Sequence, residues 1–121
     1  MITLDRSDVL ARFALLTGLG ERAGRYLPLC FDAAAEVERN ERDGCPEQAQ
    51  ALLTAAAAAL AGYRYALAQA GASGASFAAG DVKVAPGTGN LRPAKRLWRE
   101  SAAAASPYLL ENTFLFGRIL P

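Results

Sequence analysis

Arg92, Lys95, Arg96 and Arg99 fall at i, i+3, i+4 and i+7, a spacing that gathers four cations into one stripe on a helix. Such a stripe has three uses. It can be a solvated helix face, a dock for an acidic protein surface, or a contact with nucleic-acid phosphates, where each neutralised phosphate steepens the salt dependence of binding. Trp98 on the same segment reads as core rather than as a base-stacking platform, because it falls in line with Ala94, Leu97, Ala102 and Ala105. Other chemistry is thin. The 121 residues include no histidine, which removes Ser–His and Cys–His nucleophile pairs, histidine general bases and nearly all catalytic zinc sites. Two cysteines, Cys30 and Cys45, are too few for a disulfide scaffold and cannot close a tetrahedral metal site without histidine. Cys30, between Leu29 and Phe31, reads as a small buried apolar residue, and Cys45, in a Gly-Cys-Pro turn, as a more exposed one. A bridge between them stays open, with a reduced intracellular pair the expectation. The hydroxyls and carboxylates show no nucleophile elbow, acid pair or metal-ligand spacing. Gly87-Thr88-Gly89-Asn90 lacks the Gly-Lys-Ser/Thr of a phosphate loop and precedes a helix containing Pro93, so it reads as a turn. No catalytic residue, cofactor or metal is expected.

The elements that must carry the stripe follow from composition and period. At this length the chain is one domain, residues 1–121, able to fold without staples. Twenty-seven alanines against 8% aromatic residues predict helices with thin interfaces. Thirteen basic and twelve acidic side chains leave a net charge of +1, too little for a generally nucleic-acid-coating surface. The first eight residues lack the basic-then-apolar layout of a signal peptide, and the apolar stretch at 52–63 is shorter than the about 20 residues a bilayer crossing needs. A soluble protein made in a cytoplasm, with no membrane partner, is the expectation.

Helical spacing places a first helix at residues 5–17, with Val9, Phe13 and Leu16 on its apolar face beside Leu10, and Gly18 and Gly20 to stop it. A second segment covers 21–42, its main helix starting at Leu27 or Pro28 after a short turn. Leu27, Phe31 and Ala34 form its predicted face, flanked by Cys30 and Val37. The charged run at 36–43 reads as a solvated helix end with a Glu38–Arg42 pair, or as a patch for a partner. Pro46 is expected to open a third helix reaching Ala70, with Leu53, Leu60 and Leu67 repeating every seven residues and Leu52, Ala56, Ala59 and Tyr63 widening the stripe. The glycines and serines of 71–76 should break it. Alternation of Val82 and Val84 with Asp81 and Lys83 then predicts a short strand or extended arm over 77–84. Asn90 caps a fourth helix at 91–109, with Pro107 ending or kinking it near Ser106. The fold class is mainly α: four helices, an arm or loop at 71–90 between the third and fourth, and an apolar tail at 110–121. A lone strand must find a partner for its backbone groups, and a tail holding Phe114, Leu115, Phe116, Ile119 and Leu120 must find cover.

Two early helices, a long Ala/Tyr-rich helix, then Gly80-Asp81-Val82-Lys83-Val84, then a helix bearing Lys95, Leu97 and Trp98 and ending in Pro107-Tyr108-Leu109 make an order that resembles the head–tail connector (adaptor, or neck) proteins of tailed bacteriophages and prophages. The resemblance covers most of the chain and is clearest over 63–108. It implies a ring of identical subunits that docks beneath the portal protein, seats the tail or a head-closure protein, and resides in the virion neck after synthesis in the bacterial host. On this view Phe77, Gly80, Asp81, Val82, Lys83 and Val84 join subunit to subunit, and Arg92, Lys95, Arg96 and Arg99 face the portal or DNA in the channel. Such a protein is structural and turns over no substrate. The rival reading is a small cytoplasmic helical module that dimerises and meets nucleic acid or protein through the same basic face.

Overall fold

In a computed structural model of the chain the described residues are 2–78 and 91–110, with side chains described for 2–70 and 91–110. They form a mainly helical bundle of four α-helices: α1 (Arg6–Thr17), α2 (Leu27–Arg39), α3 (Ala49–Ala78) and α4 (Leu91–Ala105). A 3-10 segment, Gly20–Tyr26, joins α1 to α2, and another, Ser106–Tyr108, follows α4. Among the described residues there is no strand; the one β-bridge joins Glu41 to Leu109.

Local chemistry sets the ends of α1. Asp5 is extended and its carboxylate accepts the Ser7 N–H at 2.8 Å, satisfying one of the donors a helix start leaves free. Gly18 stops the helix at φ 72°, in the left-handed region that glycine enters without a Cβ clash. The second helix begins at Leu27 with Pro28 in its first turn, where the missing N–H costs nothing.

The central element is α3, which contacts α1, α2 and α4. Its start lies at Ala49 rather than Pro46, because residues 46–50 first form turns in which the Ala49 and Gln50 N–H groups reach the carbonyls of Pro46 and Glu47. Nor does it stop at Ala70. It continues through 71–76 to Ala78, so Phe77, expected in the arm, is helical. Glycine costs a helix about 1 kcal/mol and keeps its N–H, whereas only proline removes a donor; no proline occurs between Pro46 and Pro86, and an alanine follows each of the two glycines. Gly80, Asp81, Val82, Lys83 and Val84, the rest of the expected arm, lie outside the described residues, as do Asn90 and the tail from Glu111. The fourth helix ends at Ala105, four residues before the expected Leu109, as Pro107 dictates.

Val9 and Phe13 of α1, Cys30, Ala33, Ala34 and Val37 of α2, and Trp98, Ala102 and Ala105 of α4 are buried against α3. Phe13, Tyr26 and Tyr65 form an aromatic cluster with centroids 4.8–6.2 Å apart, Tyr65 meeting the other two edge-on. Trp98 is sealed in the core, and its indole N–H finds no acceptor among the described residues. The predicted faces were too wide. Leu16, Phe31, Leu52 and Leu67 are exposed, because the helices meet along alanines and the longer side chains fall at the seam edges. Ala49–Ala70 is long and apolar enough, by length and composition, to cross a membrane, beyond the 52–63 stretch the sequence pattern singles out; 56% of its most apolar window is covered inside the bundle, as in a core helix.

Two glycines give opposite expected outcomes. Gly62 has ordinary helical backbone and open space where a Cβ would stand, so Gly62→Ala should raise stability by about 0.5–1 kcal/mol. Gly18→Ala, forced to a positive φ, should lower it by about 1 kcal/mol or more. Urea melts of both variants check this.

Candidate functional site

The basic stripe occupies the outer face of α4. Trp98, Ala102 and Ala105 turn inward, which leaves Arg92, Arg96 and Arg99 exposed and Lys95 half-buried. At 1.5 Å per residue the stripe is about 10 Å long. None of the four forms an ion pair among the described residues. Their position adds to the field they make. Arg92, Lys95 and Arg96 lie in the first two turns of α4, where the helix dipole is already positive, and the first turn holds no acidic residue. That arrangement disfavours the isolated helix and favours any anion brought to it. Here the sequence reading and the geometry coincide: the four residues expected together are together.

The run at 36–43 behaves differently from its expected roles of solvated end or partner patch. It is a clamp. Glu36 is 3% exposed and pairs with Arg64 of α3. Glu38 receives the Leu4 N–H at 2.7 Å and both guanidinium arms of Arg6, at 2.7 and 3.0 Å. Glu41, also buried, accepts the Ile2 N–H at 2.8 Å. Two glutamates thus hold alternate N–H groups of the extended residues before α1. On the other side the Arg42 side chain donates to the Leu109 carbonyl at 2.7 Å, its N–H donates to the Tyr108 carbonyl at 2.8 Å, and the Asn40 carbonyl accepts the Leu110 N–H. The expected Glu38–Arg42 pair does not form, because each partner has a stronger, fixed engagement: Glu38 a two-armed fork, Arg42 a backbone carbonyl. Residues 38–42 therefore fasten both the segment before α1 and the segment after α4. A segment rich in mixed charge that alternates Glu and Arg within one turn was the available signal, but nothing local identified its partners 32 to 67 residues away.

The cysteines are free thiols, Cys30 buried and Cys45 half-buried. Burial pushes the Cys30 thiol up to about 11, which keeps it protonated and unreactive. The Cys45 Sγ lies 3.0 Å from the Arg42 carbonyl and 3.5 Å from that of Tyr108, adding to the clamp. Among the described residues no three of Cys, Asp and Glu converge as a metal site would require.

A second surface feature escaped the sequence reading. Among the described residues neither α2 nor the clamp reaches the gap between α1 and α4, where the small side chains of α3 floor an open groove. Leu15, 83% exposed, and Leu16 stand on its α1 wall, and Leu97 stands on its α4 wall. Compared with known protein families, characterised proteins and solved structures, the chain matches none.

The clamp has a pH signature. The Arg6 hydrogen bonds hold the Glu38 carboxyl below its ordinary value of 4.5, against a smaller opposing effect of burial and with help from the Leu4 N–H. A depressed carboxyl stabilises the fold fully above the unfolded value and loses that contribution as pH falls through the lower folded value. Urea midpoints measured between about pH 2 and 6 should fall steeply for the native chain, and Glu38→Gln should start lower at neutral pH with a flatter acid limb.

Proposed function

We propose that the chain is a structural subunit of a bacteriophage or prophage head–tail connector, which assembles as a ring beneath the portal and joins the DNA-filled head to the tail. The observation that carries the reading is the exposed stripe of Arg92, Lys95, Arg96 and Arg99 on α4, free of carboxylate partners among the described residues and set at the positive end of the helix. It suits an acidic docking ring or DNA in the channel. The order of elements supports the same reading: a long central helix, then residues 80–84 with alternating Val82 and Val84, then the amphipathic α4. In this proposal residues 80–84 pair subunit with subunit by strand addition, and the work is done by shape, with no bond made or broken. The exposed leucines of α1 add apolar surface for self-association. The protein acts in the virion neck after synthesis in the host cytoplasm, with the portal on one side and the tail or a head-closure protein on the other.

The rival, a small dimerising module that binds nucleic acid through the same stripe, is separated by one experiment. Reversing all four cations (R92E, K95E, R96E and R99E) should abolish attachment to the portal ring of the encoding phage, scored by co-sedimentation and electron microscopy. Circular dichroism and the melting temperature should stay near those of the native chain, because none of the four is buried. Undiminished attachment would refute the role of the stripe. Duplex DNA binding without portal attachment, with log K falling against log salt at a slope of about −3.6 for four phosphates, would establish the rival instead.

A further inference from the structure

The groove between α1 and α4 is apolar, and among the described residues no further element is laid over it. Its two confluent hollows, of about 190 and 280 Å³, share Leu16, Ala59 and Leu97. Together they run along α3 from Ala55 to Ala66, about 16 Å of helix. Leu15 projects at the edge with 83% of its surface in water, and Leu16 is 45% exposed. Gly62 deepens the floor, with nothing within 4 Å of where a Cβ would stand. Arg12 is the cation on the rim.

The chain holds one segment with the complementary chemistry. After Leu110 come eleven residues, among them Phe114, Leu115, Phe116, Ile119 and Leu120, with Glu111 as the sole acid. Extended, eleven residues span at most about 36–40 Å, and five of them suffice for a 16 Å groove. The exit point bears on whose groove is filled. Leu110 is tied to Asn40 and Leu109 to Glu41, at the end of α2, and α2 contributes no residue to the groove. The fourth helix runs from Pro93 past Ser101 to that point, so a chain leaving there must turn back to enter its own groove, whereas a neighbour's groove lies open to it.

We propose that the α1–α4 groove is the receptor for residues 114–120 of a second copy of this chain, with the aromatic pair Phe114 and Phe116 seated over Ala55, Ala59 and Leu97 and Glu111 near Arg12. Each copy then gives a tail and receives one. Such a contact is heterologous, and repeated it closes a ring or extends a filament. The inference deepens the connector reading and rests on it for ring closure; the tail–groove contact itself is tested without a portal.

Full-length chains carrying Cys45→Ser, with Cys30 left buried, supply the test. One chain carries Leu15→Cys and the other Phe116→Cys; they are mixed and mildly oxidised over a range of concentrations. A disulfide forms only where the two Cβ atoms come within about 4.5 Å. The expected result is a disulfide between the two chains, seen on non-reducing gels and mapped by mass spectrometry, and a ladder of oligomers when both cysteines are in one chain. Gly62→Met, which sets a long side chain on the floor of the groove, should lower the yield about tenfold, the loss of one seated apolar side chain. A closed monomer from the doubly substituted chain at high dilution, with no interchain product, would overturn the proposal in favour of the chain's own tail. Absence of any disulfide at all concentrations would overturn it outright. Cross-linking by chains that never attach to a portal supports this contact and counts against the connector alone; portal attachment by chains that never cross-link does the reverse.

Discussion

Everything in this bundle depends on the middle of α3, residues 53–63, presenting side chains too small to hold its neighbours apart. From Leu53 to Tyr63 every residue but Ala55 is buried, and most are alanines. With so little of those three turns left to solvent, α1, α2 and α4 must all lie against the same short stretch. A single methyl on the central helix lets each of them approach closely, so the contacts are backbone-near and continuous rather than interlocked. The geometry follows from that constraint. It places α1 and α4 along the same length of α3, one running with it and the other against it, as the shared neighbours Arg12, Ala55 and Ser101 at one end and Thr17, Ala66 and Ala94 at the other show.

An alanine interface also has a weakness. Burial stabilises in proportion to apolar area, at about 25 cal/mol per Å², and a methyl offers little of it. The large buried side chains are few: Trp98, Phe13, Leu53 and Leu109 lead them. The fold compensates with long-range polar fastenings: Glu36 to Arg64 links α2 to α3, Glu38 to Arg6 links α2 to the start of α1, and Arg42 to Leu109 secures the end of the α4 region. A charge taken out of water is costly unless fully engaged, and Glu38 illustrates full engagement, with three donors on one carboxylate. Such pairs specify register, which a smooth alanine surface does not.

This division explains what could be read from the residues. Helix number, the start of α2 at Leu27 or Pro28 and the break that Pro107 imposes near Ser106 were legible, though not the stop at Ala105, because capping and proline rules act within a few residues of chain. The grouping of Arg92, Lys95, Arg96 and Arg99 was legible for the same reason. The glycines at 71–76 misled, since a glycine lowers helix propensity without removing a hydrogen bond, and α3 carries through them. The heptad of Leu53, Leu60 and Leu67 misled in another way: it assumes that leucines mark the seam, whereas alanines form it and Leu67 is left outside. The clamp at 38–42 was illegible, because a glutamate bound by a backbone N–H more than thirty residues away has no local signature distinct from a solvated one.

The same constraint accounts for the surface the molecule presents. Helices that gather on one narrow central stretch cannot also touch each other all the way round, and α1 and α4 are held apart by the width of α3. The floor between them is then made of the residues that allowed close approach in the first place, Ala55, Ala58, Ala59 and Gly62, with leucines left on the walls. An apolar trough floored by methyl groups is a shape into which bulky aromatic and aliphatic side chains fit, and the chain carries those after residue 110, beyond its own clamp. The clamp fixes where that segment departs, beyond the Ser101 end of the trough, and the trough fixes where a segment of that chemistry is received. Separating donor from receptor on one rigid body is the geometric condition for propagating contacts from copy to copy, since a donor beside its own receptor would close on itself.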